Sequence, residues 1–249
     1  MFTRYRKTLA QVRASYTQEK AAEEKRSELA AFWIYRPLSF YLTPPFLALG
    51  WTADGVTALQ FGIALLMLPA ALAGGFAGAA LIVGLALLMQ VLDCVDGNIA
   101  RVTQRYSAAG GMLDGLCSLL FWALFFVATG MLTQGGGPGW IASHGREIGL
   151  ILAALFLAQR EAEDTFTNCF DERIAWTPPT VKKSDRFSWL GKVLEQSFAF
   201  GGLLLAAALG RLDWLLATIF AYQAALLLVW LPRFVGAVHK RSKQPRGNP

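Results

Sequence analysis

Six apolar blocks, at about 57–75, 78–96, 108–132, 148–166, 197–211 and 212–232, leave this chain few folds to choose from. A helix needs about 20 apolar residues to cross the hydrocarbon core of a bilayer. Backbone groups in lipid must be satisfied within the segment, so apolar blocks of this kind read as spanning helices. Composition agrees: 55% of the 249 residues are hydrophobic and 16% are charged, against about 25% charged in soluble domains. The expected fold is all-α, a polytopic membrane protein with six transmembrane helices. Gly74-Gly75 predicts a tight turn after the first block, and the glycine run at 135–139, broken by Pro138, ends the third. The last two blocks are separated only around Gly210, Arg211 and Asp213.

Charge sets the orientation. Six spans put both termini on one side, and 21 of the 23 Lys and Arg residues fall on that side, leaving Arg146 and Arg211 opposite. The positive-inside rule then places the termini, the 93–107 connection and the 160–196 loop in the cytoplasm. The formal charge of +6 is thus a topology signal, and no nucleic-acid partner is expected. The first thirty residues are basic and show no short apolar region with a cleavage site, so no secretory leader is expected. The sequence divides into a cytoplasmic N-terminal segment (1–56), a membrane domain (57–232) and a basic tail (233–249). Within the first, residues 28–42 mix aromatics with Arg36 and are interrupted by Pro37. They predict an interfacial helix on the inner leaflet, with Trp33 and Tyr35 at headgroup level. Lys182, Lys183 and Arg186 in the 171–192 loop fit either phosphate contact or positive-inside bias. Cys94, Cys117 and Cys169 have no metal-binding spacing and read as small helix residues.

The chemistry is concentrated between Asp93 and Ser118. Asp93, Asp96, Gly97, Ala100 and Arg101 lie along one helical stripe at the cytoplasmic end of the second span. Gly97 and Ala100 leave room there for a ligand or another backbone. Asp114 enters the third span, with Ser118 one turn on. The two spans are antiparallel neighbours, so Asp114 is expected to face Asp93 and Asp96. Ionised side chains at membrane depth mark function. Three mutually repelling carboxylates are relieved by a hard divalent cation, and all-oxygen ligation without histidine favours Mg²⁺ or Mn²⁺. Such an ion completes its shell with water and phosphate oxygens, which implies a phosphoanhydride substrate with Arg101 as charge partner. Interhelical ion pairing is a poor alternative, because three acids outnumber one arginine. An aspartate-rich prenyltransferase would carry a second acidic segment, and a transporter would place its charges near the midplane.

These residues resemble the CDP-alcohol phosphatidyltransferase family, whose motif is D-x2-D-G-x2-A-R-x8-G-x3-D-x3-D. The chain reads Asp93-x2-Asp96-Gly97-x2-Ala100-Arg101-x8-Gly110-x3-Asp114-x3-Ser118, matching seven of the eight fixed positions. The resemblance implies transfer of a phosphatidyl or related phospho-alcohol group from a CDP-linked donor, such as CDP-diacylglycerol, to an alcohol acceptor, with release of CMP. It implies metal at Asp93, Asp96 and Asp114, substrate contact at Gly97, Ala100, Arg101 and Gly110, and a homodimer in a bacterial inner membrane with a cytoplasmic active site. The departure is Ser118, where the family has an aspartate regarded as metal ligand and general base. Serine has no useful basicity near neutral pH, so three readings stay open. Asp114, Glu161, Glu163, Asp164 or Asp185 substitutes for the base; the acceptor brings its own; or the protein binds a CDP-lipid without turning it over.

Overall fold

The computed structural model describes residues 2–27, 30–106, 108–134, 139–170 and 196–242. Every element among them is helical. Helices over Ala53–Ala71, Gly75–Thr103, Ala109–Thr133 and Leu212–Arg241 are long and apolar enough to cross a bilayer. The chain is an all-α polytopic membrane protein. The basic residues Lys182, Lys183 and Arg186 and the acid Asp185 lie outside the described residues, as does most of the glycine run.

The N-terminal segment is a helical layer made of α1 (Phe2–Ala14), α2 (Gln18–Ser27), a wide π-helical turn (Ala31–Tyr35) and α3 (Arg36–Ala48). Pro37 does not interrupt this layer: the helix runs through it from the π-helical turn, where the Arg36 N–H still bonds the Ala31 carbonyl, into α3. Trp33, Leu38 and Tyr41 are exposed, as an interfacial helix requires, but Tyr35 is buried against Val91 and Cys94. The headgroup position expected for Tyr35 is therefore corrected. Its side of the turn faces the protein because the Ala31–Tyr35 turn packs on the second span.

The first span is α4 (Ala53–Leu65) followed by α5 (Met67–Ala71). It begins at Ala53 because the Thr52 hydroxyl accepts the Gly55 N–H at 3.1 Å and caps the helix. It breaks at Leu66 because Pro69, four residues past Leu65, has no N–H to return to the Leu65 carbonyl. Gly74 (φ +68°) and Gly75 (φ +48°) make the turn into α6 (Gly75–Thr103) in the left-handed region that favours glycine. With 29 residues, α6 is about 43 Å long at 1.5 Å per residue. That exceeds a hydrocarbon core of about 30 Å, so about 13 Å of it extends beyond the core as helix.

The third span, α7 (Ala108–Thr133), returns beside α4, and after the short α8 (Trp140–Ser143) comes α9 (Gly145–Phe170). Helices α7 and α9 meet backbone to backbone at Gly130, Gly145 and Gly149. A Cβ on Gly149 would stand 2.7 Å from the Phe126 carbonyl oxygen, a closeness only small residues permit. α9 has the length to span, yet its C-terminal half carries Arg160, Glu161, Glu163 and Asp164. α10 (Gln196–Ala208) has 13 residues, about 20 Å. Gly210 (φ +64°) then turns the chain into α11 (Leu212–Ser242). The core lies between α4, α6, α7 and α10, where Phe121, Phe125 and Phe200 stack around Trp122 with ring centroids 5.0–6.3 Å apart.

Candidate active site

Asp96 anchors the site. It is 8% exposed, and its Oδ2 accepts hydrogen bonds from Gln60 Nε2 at 2.7 Å and Thr57 Oγ1 at 3.0 Å. Both donors are neutral and come from α4, so they fix the carboxylate without neutralising it. Neither was singled out from sequence. The signal was there in the form of two polar side chains three residues apart on one face of an apolar helix. Across the helix pair, Asp114 comes within hydrogen-bonding reach of Asp93, and Asp96 lies within electrostatic reach of both. The three motif acids are brought together where α6 and α7 approach.

Gly97 serves Arg101. A Cβ at Gly97 would stand 3.3 Å from Arg101 Nη1 and 3.4 Å from Nη2, so the guanidinium folds back over the bare glycine. Arg101 Nη2 donates to Asn98 Oδ1 at 2.8 Å, while its buried Nε has no hydrogen-bond partner. Asn98 is fully buried and holds more than Arg101. Its Oδ1 also accepts from Arg36 Nη1 at 3.2 Å, and its Nδ2 donates to Ser39 Oγ at 3.0 Å and Thr43 Oγ1 at 3.1 Å. Arg36 in turn forms a bidentate pair with Glu24 and donates to the Cys94 carbonyl at 3.2 Å. Tyr16 donates to the same Glu24 at 2.7 Å. Burial pushes the Glu24 carboxyl up, but the bonds from Arg36 and Tyr16 outweigh it and hold it below the usual value. The N-terminal layer is thus tied to Arg101 through one amide. Arg36, read from sequence as an interfacial residue, is a buried structural cation.

Two cavities flank the acids. One, of about 250 Å³, is lined by Asp96, Gly97, Ala100, Arg101, Gly110 and Asp114. It gathers every motif position except Asp93 and Ser118. The other, of about 380 Å³, takes in Asp93, Ser118 and Gln90, with Arg160 and Asp164 from α9 and Trp122 on its apolar side. Glu163 is spent elsewhere, paired with Arg160 at 3.5 Å and accepting from Gln159 at 3.4 Å. Glu161 accepts from Thr165 and does not line this cavity.

The acids offer only oxygen donors, which suits a hard divalent ion. Among the described residues, no three acidic, histidine or cysteine side chains stand close enough to enclose an ion unaided. An ion here has to complete its shell from outside the protein, as magnesium ordinarily does with water and phosphate oxygens. Arg101 lines the smaller cavity and is a cation suited to such an oxyanion.

The sequence profile of the CDP-alcohol phosphatidyltransferase family matches residues 51–230. The chain belongs to that family. Its members are phosphotransferases that move a phospho-alcohol group between a CDP-linked donor and an alcohol in lipid synthesis, generally with a divalent metal. The chain is also similar to the "Inner membrane protein YnjF" of Escherichia coli (strain K12), at 39% identity over 75 residues. That match covers 30% of this chain and 34% of the relative.

Proposed function

We propose that this CDP-alcohol phosphatidyltransferase family member transfers a phosphatidyl or related phospho-alcohol group from a CDP-linked lipid, CDP-diacylglycerol in the first instance, to an alcohol, releasing CMP. The observation that carries the reading is the smaller cavity, which gathers five motif residues, two of them acids, around Arg101. Asp93, Asp96 and Asp114 hold Mg²⁺ or Mn²⁺, and the ion supplies charge neutralisation for the donor's pyrophosphate. Thr57 and Gln60 keep Asp96 oriented toward the other two acids. Arg101, steadied by Asn98, takes a phosphate oxygen, and Gly97, Ala100 and Gly110 leave the cytidine end its space. The larger cavity, on the other side of the acids, receives the acceptor alcohol. With the donor held and charged groups fixed in advance, positioning and electrostatics supply most of the acceleration.

The chain spans the membrane six times in this proposal, α9 and α10 supplying the fourth and fifth spans. The layer 1–56 and the tail 233–249 flank a membrane domain at 57–232. The site faces the cytoplasm of a bacterial inner membrane, and two copies pair. One specific observation favours a second reading: Ser118 offers no carboxylate where the family motif has one, which suits a protein that binds a CDP-lipid without turning it over. Purified protein given CDP-diacylglycerol, Mg²⁺ or Mn²⁺ and a panel of alcohols separates the two. CMP release with one acceptor supports the transferase; metal-dependent donor binding without CMP release supports the binding protein.

A further inference from the structure

The larger cavity contains Ser118 but is not without a free acid. We infer that Asp164, on α9, is the general base for the acceptor hydroxyl, taking over from across the cavity the task Ser118 cannot perform. This rests on the transferase reading above.

Two observations point to Asp164. Ser118, on α7, and Asp164 line the same cavity as Asp93, so an alcohol placed beside the metal-binding acids has both within its walls. α7 and α9 run antiparallel, in backbone contact at Gly130 with Gly145 and at Phe126 with Gly149. Carried on, that register sets Ser118 level with Leu157 and Asp164 about 10 Å further along α9, so Asp164 meets the acceptor from the far wall of the cavity. The competing acids are otherwise engaged: Glu163 with Arg160 and Gln159, Glu161 with Thr165, Asp114 and Asp96 at the smaller cavity, and Asp93 beside Asp114. Asp164 is left as the exposed carboxylate that lines the cavity from outside the motif.

The step balances without another reagent. The acceptor O–H gives its proton to an Asp164 carboxylate oxygen as its oxygen bonds to the donor phosphorus that carries the lipid. The bond from that phosphorus to the CMP oxygen breaks, and CMP leaves with the electron pair. The proton on Asp164 then passes to water.

The test is Asp164→Asn alone, Ser118→Asp alone and the two combined, in the full-length protein, read by CMP release and by Mg²⁺-dependent binding of CDP-diacylglycerol. General-base assistance is worth about 10²–10⁴-fold. Asp164→Asn is expected to lower CMP release by at least about a hundredfold with donor affinity within about twofold, which also shows that the variant folds. Adding Ser118→Asp is expected to restore turnover, because a carboxylate is returned to the same cavity. Full activity in Asp164→Asn overturns the inference and leaves the transferase standing. Loss without rescue, accompanied by a raised acceptor KM, makes Asp164 an acceptor-holding group and overturns the base role. Turnover by Ser118→Asp with a silent wild type overturns it too, since Asp164 then serves no reaction. Silence in all four proteins overturns it along with the transferase, and donor binding then decides whether the site recognises CDP-lipid at all.

Discussion

The residue on which the proposed recognition of the donor turns is one without a side chain. Gly97 lets the Arg101 guanidinium lie against the α6 backbone, with its Nη atoms 3.3 and 3.4 Å from where a Cβ would stand. An alanine there displaces the flexible end of the arginine by a few tenths of an ångström, not the helix. Gly97→Ala is therefore expected to leave thermal stability nearly unchanged. Donor affinity is expected to fall about tenfold, about 1.4 kcal/mol, because Arg101 loses its aim at the cavity. Titration of CDP-diacylglycerol into the variant, beside a melting curve, reads both. Lost stability with intact affinity would show that Gly97 serves packing and not Arg101.

At the level of elements, the N-terminal layer is fastened by charge. Glu24 and Arg36 are 3% and 7% exposed, and removing one member of such a buried pair costs about 3–5 kcal/mol. Glu24→Gln is expected to release α1 and α2 to protease well before the membrane helices unfold. The pH dependence has a definite sign. The folded Glu24 carboxyl sits below its ordinary value near 4.5, so its contribution is fully present above that value and is lost as pH falls through the lower folded value. Cleavage of the layer is expected to accelerate below about pH 4 in the wild type, from the ordinary carboxylate range, and to be fast and less pH-dependent in Glu24→Gln. Little of this layer was legible beforehand. Arg36 and Asn98 lie 62 positions apart, and no local pattern pairs a cation in an aromatic segment with an amide inside a motif. Asp93, Asp96, Gly97, Arg101 and Asp114 were legible because helical periodicity alone puts them on facing stripes. Thr57 and Gln60 were not, because their role depends on which face of α4 meets α6. Tyr35 was misplaced for the same reason: aromatic composition signals an interface, but only tertiary packing decides which ring turns inward.

For the whole molecule, the proposed orientation can be read with a native reporter. Cys94 and Cys117 are buried, whereas Cys169 is exposed at the end of α9. A membrane-impermeant maleimide is expected to label Cys169 in inverted inner-membrane vesicles and to leave it unlabelled in right-side-out spheroplasts. The reverse pattern would turn the site toward the other side and remove the cytoplasmic assignment made from the distribution of Lys and Arg. The apolar blocks made the helical membrane fold plain before any coordinates. Exact helix ends were less so, because Thr52 capping, the missing Pro69 N–H and the overhang of α6 each shift a boundary without changing the apolar pattern.

In the proposed site three acids and Arg101 bind a CDP-linked donor through a divalent ion. The decisive measurement is CDP-diacylglycerol binding to wild type and Asp96→Asn, each with and without Mg²⁺ or Mn²⁺. The expected result is tight binding by the wild type only with metal, and binding by Asp96→Asn that is weak and indifferent to metal. Equal, metal-dependent affinity in both proteins would contradict the assignment of these acids to the ion.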